Sequence, residues 1–192
     1  MQQLLQIIKR PFFRKNKKKM KLTLSHSTLR SFKKSDAKDI AKYANNIQIW
    51  NNVRDLFPYP YSLSDAEKFI EFSLSQSPVC NFAIEVEGEV VGVIGIILGV
   101  DIHKLSAEIG YWIGEPFWGK GIMTEAVKAF VGYVFQAYEI HRIFAGIFSF
   151  NEASMRVAEK AGLRYEGTHK EALIKNGTLA DEVIYAILAP KK

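Results

Sequence analysis

Residues 108–126 read EIGYWIGEPFWGKGIMTEA, and this stretch decides how the chain folds. An alternating apolar run is followed by two glycines that flank Lys120, and the chain then continues with apolar residues at helical spacing. One interpretation is an anion site, because a helix start leaves N–H groups unpaired, carries the positive end of the helix dipole and lets glycine backbone approach a phosphate. The other interpretation is a tight turn that needs positive φ. The stretch alone leaves both open.

The bulk composition predicts one globular domain. The chain has 192 residues, of which 48% are hydrophobic, enough for a sizeable core. No apolar run reaches the ~18–20 residues that a membrane helix needs, so we expect no membrane partner and a cytoplasmic protein. The chain has one cysteine, Cys80, which excludes an internal disulfide and predicts a small packed residue. The four histidines form no H-x-x-x-H pair, so we predict no metal.

The positive charge is concentrated at the N-terminus. The net charge is +6, but residues 1–21 carry eight Lys or Arg and no acid, which leaves 18 basic and 20 acidic residues in the rest of the chain. We therefore predict a basic leader over residues 1–20, with Met20 as a candidate start, and a folded domain over residues 21–190. Alternatives for the leader are a targeting segment or an arm for nucleic acid or a membrane surface, although we expect no nucleic-acid partner.

Hydrophobic periodicity and turn residues predict a mixed α/β (α+β) order of elements. The first half predicts a strand at 21–32 broken near His26, a helix from Ser35, a short helix and loop at 49–62, and a helix opened by a capping box at Ser64. The second half predicts strands at 81–87, 90–98, 107–113 and 142–150, helices at 120–138 and 151–161, and a final hairpin that turns at Asn176-Gly177 with arms at 165–174 and 182–188.

The glycine loop does not fit two common phosphate-binding patterns. A Walker loop needs G-x-x-x-x-G-K-[ST], but here the lysine precedes the second glycine and no Ser or Thr follows it directly. A dinucleotide fingerprint needs a third glycine where this chain has Thr124, and no acidic residue ends the next predicted strand.

A different resemblance covers the chain from residue 21 to 188. EIGYWIGEPFWGKGIMTEA, followed about thirty residues later by NEASMRVAEKAGLRYEG, resembles the GNAT superfamily of acyl-CoA-dependent N-acetyltransferases, in particular the RimJ/RimL-like branch. The superfamily pattern Q/R-x-x-G-x-G/A is altered, because Trp118 and Met123 stand at its first and last positions. The branch commonly has this W-G-x-G form. The resemblance implies a single GNAT fold: a mixed, mostly antiparallel sheet with a central splay, flanked by helices.

The resemblance also implies how acetyl-CoA would bind. The pyrophosphate would lie on the N–H groups of residues 118–123, with added charge from Lys120. The pantetheine arm would lie beside the strand at 107–113, where a bulge in that strand and a splay from the strand at 142–150 expose backbone groups. The residues expected to contact acetyl-CoA are Trp112, Ile113, Trp118, Gly119, Lys120, Gly121, Ile122, Met123 and Asn151.

Amine attack on a thioester needs a neutral amine, a held carbonyl and a proton for the leaving thiolate. Glu108 is the candidate base, and the alternatives are a water chain or a purely structural carboxylate paired with a surface lysine. Asn151 and Ser154 match the branch's Asn-x-x-Ser pattern, in which Asn faces the pantetheine and Ser is a candidate acid. Asn151 is equally a helix N-cap, and Tyr111 and Tyr138 are alternative acids. Candidate acceptor-site residues are Trp50, Asn51, Phe57, Tyr59 and Tyr61.

These observations predict an enzyme that transfers an acetyl group from acetyl-CoA to a primary amine by direct attack in a ternary complex. The acceptor would be a protein N-terminus or a small-molecule amine, which only the variable loop at 49–62 would distinguish. The alternative is a non-catalytic acyl-CoA-binding regulatory module. The sequence is compatible with a monomer or a homodimer.

Overall fold

The computed structural model describes residues 20–190. Eight strands form one sheet in the order β1-β2-β3-β4-β5-β6-β8-β7. The predicted basic leader at residues 1–20 lies outside the described residues except for Met20, whose side chain is buried in the core. None of the helices in residues 20–190 has the length and apolar content that crossing a bilayer requires.

The elements follow the predicted order. The strands are β1 Lys21–Thr23, β2 Thr28–Arg30, β3 Asn81–Val86, β4 Glu89–Leu98, β5 Ser106–Ile113, β6 Arg142–Phe148, β7 Arg164–Lys175 and β8 Thr178–Leu188. The helices are α1 Ala37–Ala44, α2 Ile47–Trp50, α3 Leu63–Ser75, α4 Ile122–Ala137 and α5 Glu152–Lys160. Both arms of the final hairpin are longer than predicted, because β7 and β8 pair right up to the Asn176-Gly177 turn.

Helix α3 corrects one prediction. The capping box was expected at Ser64, but the N-cap is Ser62, whose Oγ accepts a hydrogen bond from the N–H of Asp65 while Asp65 accepts one from the N–H of Ser62. The sequence contains two overlapping Ser-x-x-acid patterns, at 62–65 and 64–67, and a local pattern cannot choose between them. The following turns of the helix pack Ala66 and Ile70 into the core on this side of the sheet.

Helices cover both faces of the sheet. On one face α4 buries Met123, Val127, Phe130 and Val134 at the predicted helical spacing. On the other face α1 and α3 enclose a smaller core with Ile40, Ile70 and Val93. Cys80 is buried with 6% of its surface exposed, as predicted for a packed residue, and burial raises the pKa of its thiol to about 11.

The sheet opens at its centre. β5 and β6 are its only parallel neighbours within residues 20–190, and they pair only from Ser106↔Arg142 to Glu108↔Phe144 before they diverge. The resemblance predicted a bulge in β5 at this point. The structure differs, because β5 pairs with β4 in one unbroken register from Ala107 to Ile113. The splay therefore arises from the divergence of two regular strands.

Candidate active site

The glycine loop ends in a left-handed turn that opens α4. Gly119 and Gly121 have φ of +71° and +77°, and Gly121 is the N-cap of the helix. The first helical bond runs from the N–H of Glu125 to the carbonyl of Gly121 (3.1 Å). This leaves the N–H groups of Ile122, Met123 and Thr124 outside the helical ladder, where they can receive an anion. A Cβ at either glycine would project into open space, so crowding does not require glycine at these positions. The positive φ of the turn does, and the N–H groups at the start of α4 remain accessible.

Trp118 and Lys120 make different contacts within the loop. The N–H of Trp118 donates to the carbonyl of Glu115 (3.0 Å), and its indole N–H donates to the carbonyl of Ile113 (2.7 Å). Trp118 therefore ties the loop to the end of β5 instead of offering its N–H to a phosphate. Lys120 is exposed, and its Nζ lies 5.4 Å from the centre of the Phe117 ring.

A cavity of about 450 Å³ lies between this loop and α5, and we call it the loop cleft. Its positive charge comes from α5, where Arg156 and Lys160 face the loop one helical turn apart. A phosphate at the start of α4 would thus meet N–H groups on one side and two cations on the other. The other lining residues are Gln48, Ile49, Asn52, Val53, Tyr111, Trp112, Ile113, Phe117, Trp118, Gly119, Gly121, Ile122, Met123, Thr124, Asn151, Ala153, Ser154 and Val157.

Backbone groups of β5 face the splay. The N–H of Gly114 donates to Val91 (2.7 Å) and that of Gly99 donates to Ser106 (2.8 Å), which sets the bonding alternation of the β4–β5 ladder. By this alternation the odd-numbered residues of β5 turn their N–H and C=O groups towards β6. Because the β5–β6 pairing ends at Glu108, the N–H of Tyr111 has no strand partner within residues 20–190. It is a preformed donor at the mouth of the splay.

Polar side chains gather beside this donor. Asn151 caps α5, since its Oδ1 accepts from the N–H of Ser154 (3.0 Å). The Oγ of Ser154 donates to the Tyr111 hydroxyl (3.0 Å), which donates to the carbonyl of Ser154 (3.2 Å). Burial raises the pKa of Tyr111 to about 12, so its hydroxyl stays protonated near neutral pH.

A second cavity of about 730 Å³ lies on the α3 side of the sheet, and we call it the sheet cleft. Its floor has glycines on three adjacent strands: Gly95 and Gly110 are directly paired, and Gly146 follows on β6. A Cβ at Gly110 would meet nothing within 4 Å, so the floor is open there. The sheet cleft shares six lining residues with the loop cleft, namely Asn52, Val53, Tyr111, Trp112, Asn151 and Ser154. We call this shared region the junction.

Three acidic and two basic side chains line the sheet cleft. Glu108 forms an ion pair with Arg54 from the loop before α3, rather than with the surface lysine that the structural alternative expected. Asp65 lies near Lys68 on α3, and its pKa is lowered mainly by its hydrogen bonds from Ser62. Glu182 on β8 is the third acid. Within residues 20–190 no group of three His, Cys, Asp or Glu side chains is placed to share a metal ion.

The chain matches a known family over most of its length. A family model described as an acetyltransferase (GNAT) domain matches residues 26–164. The chain belongs to the GNAT family. The family and the fold that the sequence predicted are both confirmed.

Three relatives illustrate the range of similarity within the GNAT family. The "Probable N-acetyltransferase YjcK" of Bacillus subtilis is 46% identical over 85 residues, 44% of this chain and 47% of the relative, so the chain aligns with about half the length of that protein. The "[Ribosomal protein uS5]-alanine N-acetyltransferase" of Escherichia coli is 30% identical over 93% of this chain and 95% of the relative. The structure of Mycobacterium smegmatis RimJ in complex with CoA-disulfide superposes with a TM-score of 0.76 at 26% identity, over 85% of this chain and 82% of that one.

The structure places some of the predicted acceptor residues of this GNAT domain at a cleft and others away from both clefts. Phe57 lines the sheet cleft, where its ring packs edge-on against Trp112 and beside Tyr61. Trp50, Asn51 and Tyr59 line neither cleft. Trp50 packs against Tyr59 and lies under the Nζ of Lys175 (3.7 Å to the ring centre), and Asn51 accepts a hydrogen bond from Asn176 (3.0 Å). These contacts fasten the loop at 51–62 to the β7–β8 turn.

Of the two alternative acids, Tyr111 lies at the junction and Tyr138 does not. Tyr138 is 5% exposed in the core, where its hydroxyl donates to the carbonyl of Val79 and burial raises its pKa. Tyr138 therefore acts as a packing residue.

Sequence reasoning missed several residues that line the clefts, among them Arg54, Glu182, Arg156 and Lys160. The spacing of Arg156 and Lys160, one turn apart on a predicted helix beside the phosphate loop, is a signal that could have identified them. No local pattern marks Arg54 or Glu182, because they lie in an irregular loop and on a distant strand.

Proposed function

We propose that this GNAT domain transfers an acetyl group from acetyl-CoA to a primary amine, and that the acceptor is the N-terminus of a protein. The observation that carries the proposal is the junction, where a cleft with phosphate-binding features meets a cleft lined by carboxylates. The full-length similarity to the uS5-alanine N-acetyltransferase favours a polypeptide acceptor with a small first residue.

The loop cleft suits the co-substrate. In the proposed complex the N–H groups of residues 119–124 and the cations of Arg156 and Lys160 hold the pyrophosphate. The pantetheine arm extends along β5 past Ile113, Trp112 and Asn151 to the junction. The thioester carbonyl oxygen then accepts a hydrogen bond from the backbone N–H of Tyr111. This hydrogen bond stabilises the oxyanion that develops on that oxygen. One preorganised donor of this kind contributes about 2.7–4 kcal/mol in known hydrolases.

The acceptor enters through the sheet cleft as an ammonium and loses one proton before attack. An N-terminal amine has a pKa of about 7.7–8.0, so a large neutral fraction exists near neutral pH and a water beside Glu108 suffices as base. Glu108, whose carboxylate forms an ion pair with Arg54, can orient this water. The amine nitrogen bonds to the acyl carbon, the carbon–sulfur bond breaks, and the nitrogen releases its second proton.

The leaving thiolate takes one proton at the junction. Ser154 and Tyr111 are the groups placed to supply it, since their hydroxyls are hydrogen-bonded to each other at 3.0 Å. The net products are an amide, free CoA and one proton. In this scheme Asn151 fixes the start of α5 and thereby the position of Ser154.

The test is acetyl-CoA turnover with a hexapeptide that begins with alanine, followed by thiol release and by the mass of the peptide. The same peptide with a pre-acetylated N-terminus is the control. We expect thiol release and one added acetyl group with the free peptide alone. Tight acetyl-CoA binding without turnover on peptides, diamines or amino sugars would replace this proposal with the regulatory-module alternative.

A further inference from the structure

Glu182 is a carboxylate that the proposed chemistry does not use. It lies on β8 opposite Phe148 of β6, and its side chain is 20% exposed. It lines the sheet cleft together with Gly110, Tyr111 and Ser154. Partial burial of a carboxylate costs free energy unless a cation or a hydrogen-bond donor lies beside it, so the position of Glu182 calls for an explanation.

Gly146 allows Glu182 to occupy this place. A Cβ built on Gly146 would lie 2.3 Å from Oε1 of Glu182 and 3.0 Å from its Cδ. Gly146 sits inside a regular strand without positive φ, so a turn does not explain the glycine. The close approach of the carboxylate does, because a Cβ at this position would require the end of the Glu182 side chain to shift.

The charges around Glu182 leave it only partly balanced. Of the acids that line the sheet cleft, Glu108 has Arg54 as its partner and Asp65 has Lys68 nearby. Glu182 instead has the imidazole of His169 as its neighbour, whose Nδ1 lies 3.0 Å from Oε2 and whose side chain is 63% exposed. Of the three acids that line the cleft, Glu182 is the one without a Lys or Arg beside it in the described part of the chain.

We propose that Glu182 receives the ammonium group of the acceptor and that Gly146 holds the carboxylate in position for it. This inference rests on the proposed function, because it assigns the acceptor subsite of the same reaction. A charge-assisted hydrogen bond from the ammonium to Oε1 orients the amine beside the junction before it loses its proton. The subsite therefore selects aliphatic cationic amines over neutral aromatic amines.

The first experiment measures binding, so that it does not depend on turnover. The protein loaded with CoA is titrated calorimetrically with the alanine-started hexapeptide, its N-acetylated form, and a linear diamine. We expect Glu182→Gln to weaken the free peptide at least about 10-fold, in line with the loss of a charged hydrogen-bond partner. The N-acetylated peptide should bind weakly to the wild-type and Glu182→Gln proteins alike.

The matched control is Glu71→Gln, which removes the same charge from an exposed position on α3 outside both clefts. It should leave peptide affinity unchanged. Gly146→Ala should act in the same direction as Glu182→Gln although the charge is kept, because the new Cβ displaces the carboxylate. In steady state Glu182→Gln and Gly146→Ala should each raise the KM for the peptide and leave the KM for acetyl-CoA unchanged.

The outcomes separate this inference from the proposed function. Turnover by the wild type together with an unchanged peptide KM in Glu182→Gln overturns the Glu182 subsite and leaves the enzyme. Glu182-dependent binding of the free peptide without any turnover supports the subsite and contradicts the enzyme. Equal binding of free and acetylated peptide overturns the subsite, and tighter binding of the diamine than of the peptide identifies a small amine as the ammonium source.

Discussion

The two clefts of this protein are built in different ways. The loop cleft takes most of its walls from two short segments, the end of β5 through the start of α4 and the first turns of α5, and it offers backbone N–H groups. The sheet cleft takes its walls from β4, β5, β6, β8 and the loop before α3, and it offers side chains. Backbone donors serve any molecule with the same phosphate, whereas side chains can be exchanged one at a time. The difference explains how a family can keep one co-substrate while its acceptors vary.

The largest expected effect is a loss of acetyl-CoA affinity that is confined to the loop cleft. Gly121→Glu should lower acetyl-CoA affinity at least about 100-fold, or about 2.7 kcal/mol, because a carboxylate would occupy the anion site at the start of α4. Calorimetry with acetyl-CoA measures the loss, and circular dichroism checks the fold. Gly121→Asn is the control for backbone strain, since asparagine tolerates positive φ and adds no charge. Wild-type affinity in Gly121→Glu would remove the phosphate site from this loop.

The next effect concerns the junction, where turnover should fall while binding persists. Ser154→Ala combined with Tyr111→Phe should lower kcat about 100-fold, which is the usual loss for a positioned acid. The acetyl-CoA Kd should change little, because neither hydroxyl contacts the phosphates. Rapid-quench measurement of the acetyl-transfer step distinguishes this loss from slow product release. Full activity in the double variant would reduce both residues to packing and helix-capping roles.

These first two predictions concern the part of the molecule that the sequence could specify. The glycine loop, the start of α4 and the Asn151-to-Ser154 turn each follow from residues within about ten positions of one another, so local patterns identified them. Glu182 lies on β8 and Arg54 in the loop before α3, and these segments come together only in the folded protein. Hydrophobic periodicity does not predict which distant segments come into contact. The expected β5 bulge came from the family resemblance and not from a local pattern in this chain, and β5 pairs with β4 in one unbroken register instead.

A smaller effect should change the KM for the acceptor and leave the KM for the co-substrate unchanged. Arg54→Ala removes the partner of Glu108, and we expect the peptide KM to rise by at most about fivefold because an exposed ion pair contributes about 0.2–1 kcal/mol. The guanidinium of Arg54 is 58% exposed, so the fold should tolerate the change. The KM for acetyl-CoA should stay constant. A rise in that KM instead would mean that the two clefts are not functionally separate.

The smallest effect is a pH dependence at the junction. Burial raises the pKa of Tyr111 from its ordinary value of 10.0 to about 12, so the folded state disfavours the phenolate. Its contribution to stability is therefore complete below pH 10 and is lost as pH rises towards 12. The stability difference between wild type and Tyr111→Phe should shrink by about 1 kcal/mol between pH 8 and pH 11. Urea unfolding at the two pH values measures it, and a constant difference would place Tyr111 in a wetter site.

The central claim is that the two clefts meet where a thioester and an amine can react directly. The most direct test is the affinity of a bisubstrate molecule in which CoA is joined through a carboxymethyl linker to the N-terminus of the alanine-started hexapeptide. The account predicts binding at least about 100-fold tighter than CoA alone, because the second half binds at high effective concentration. Because the linker converts the terminal nitrogen into an uncharged amide, the gain should persist in Glu182→Gln as in Glu71→Gln. A bisubstrate that binds no more tightly than CoA would contradict the account.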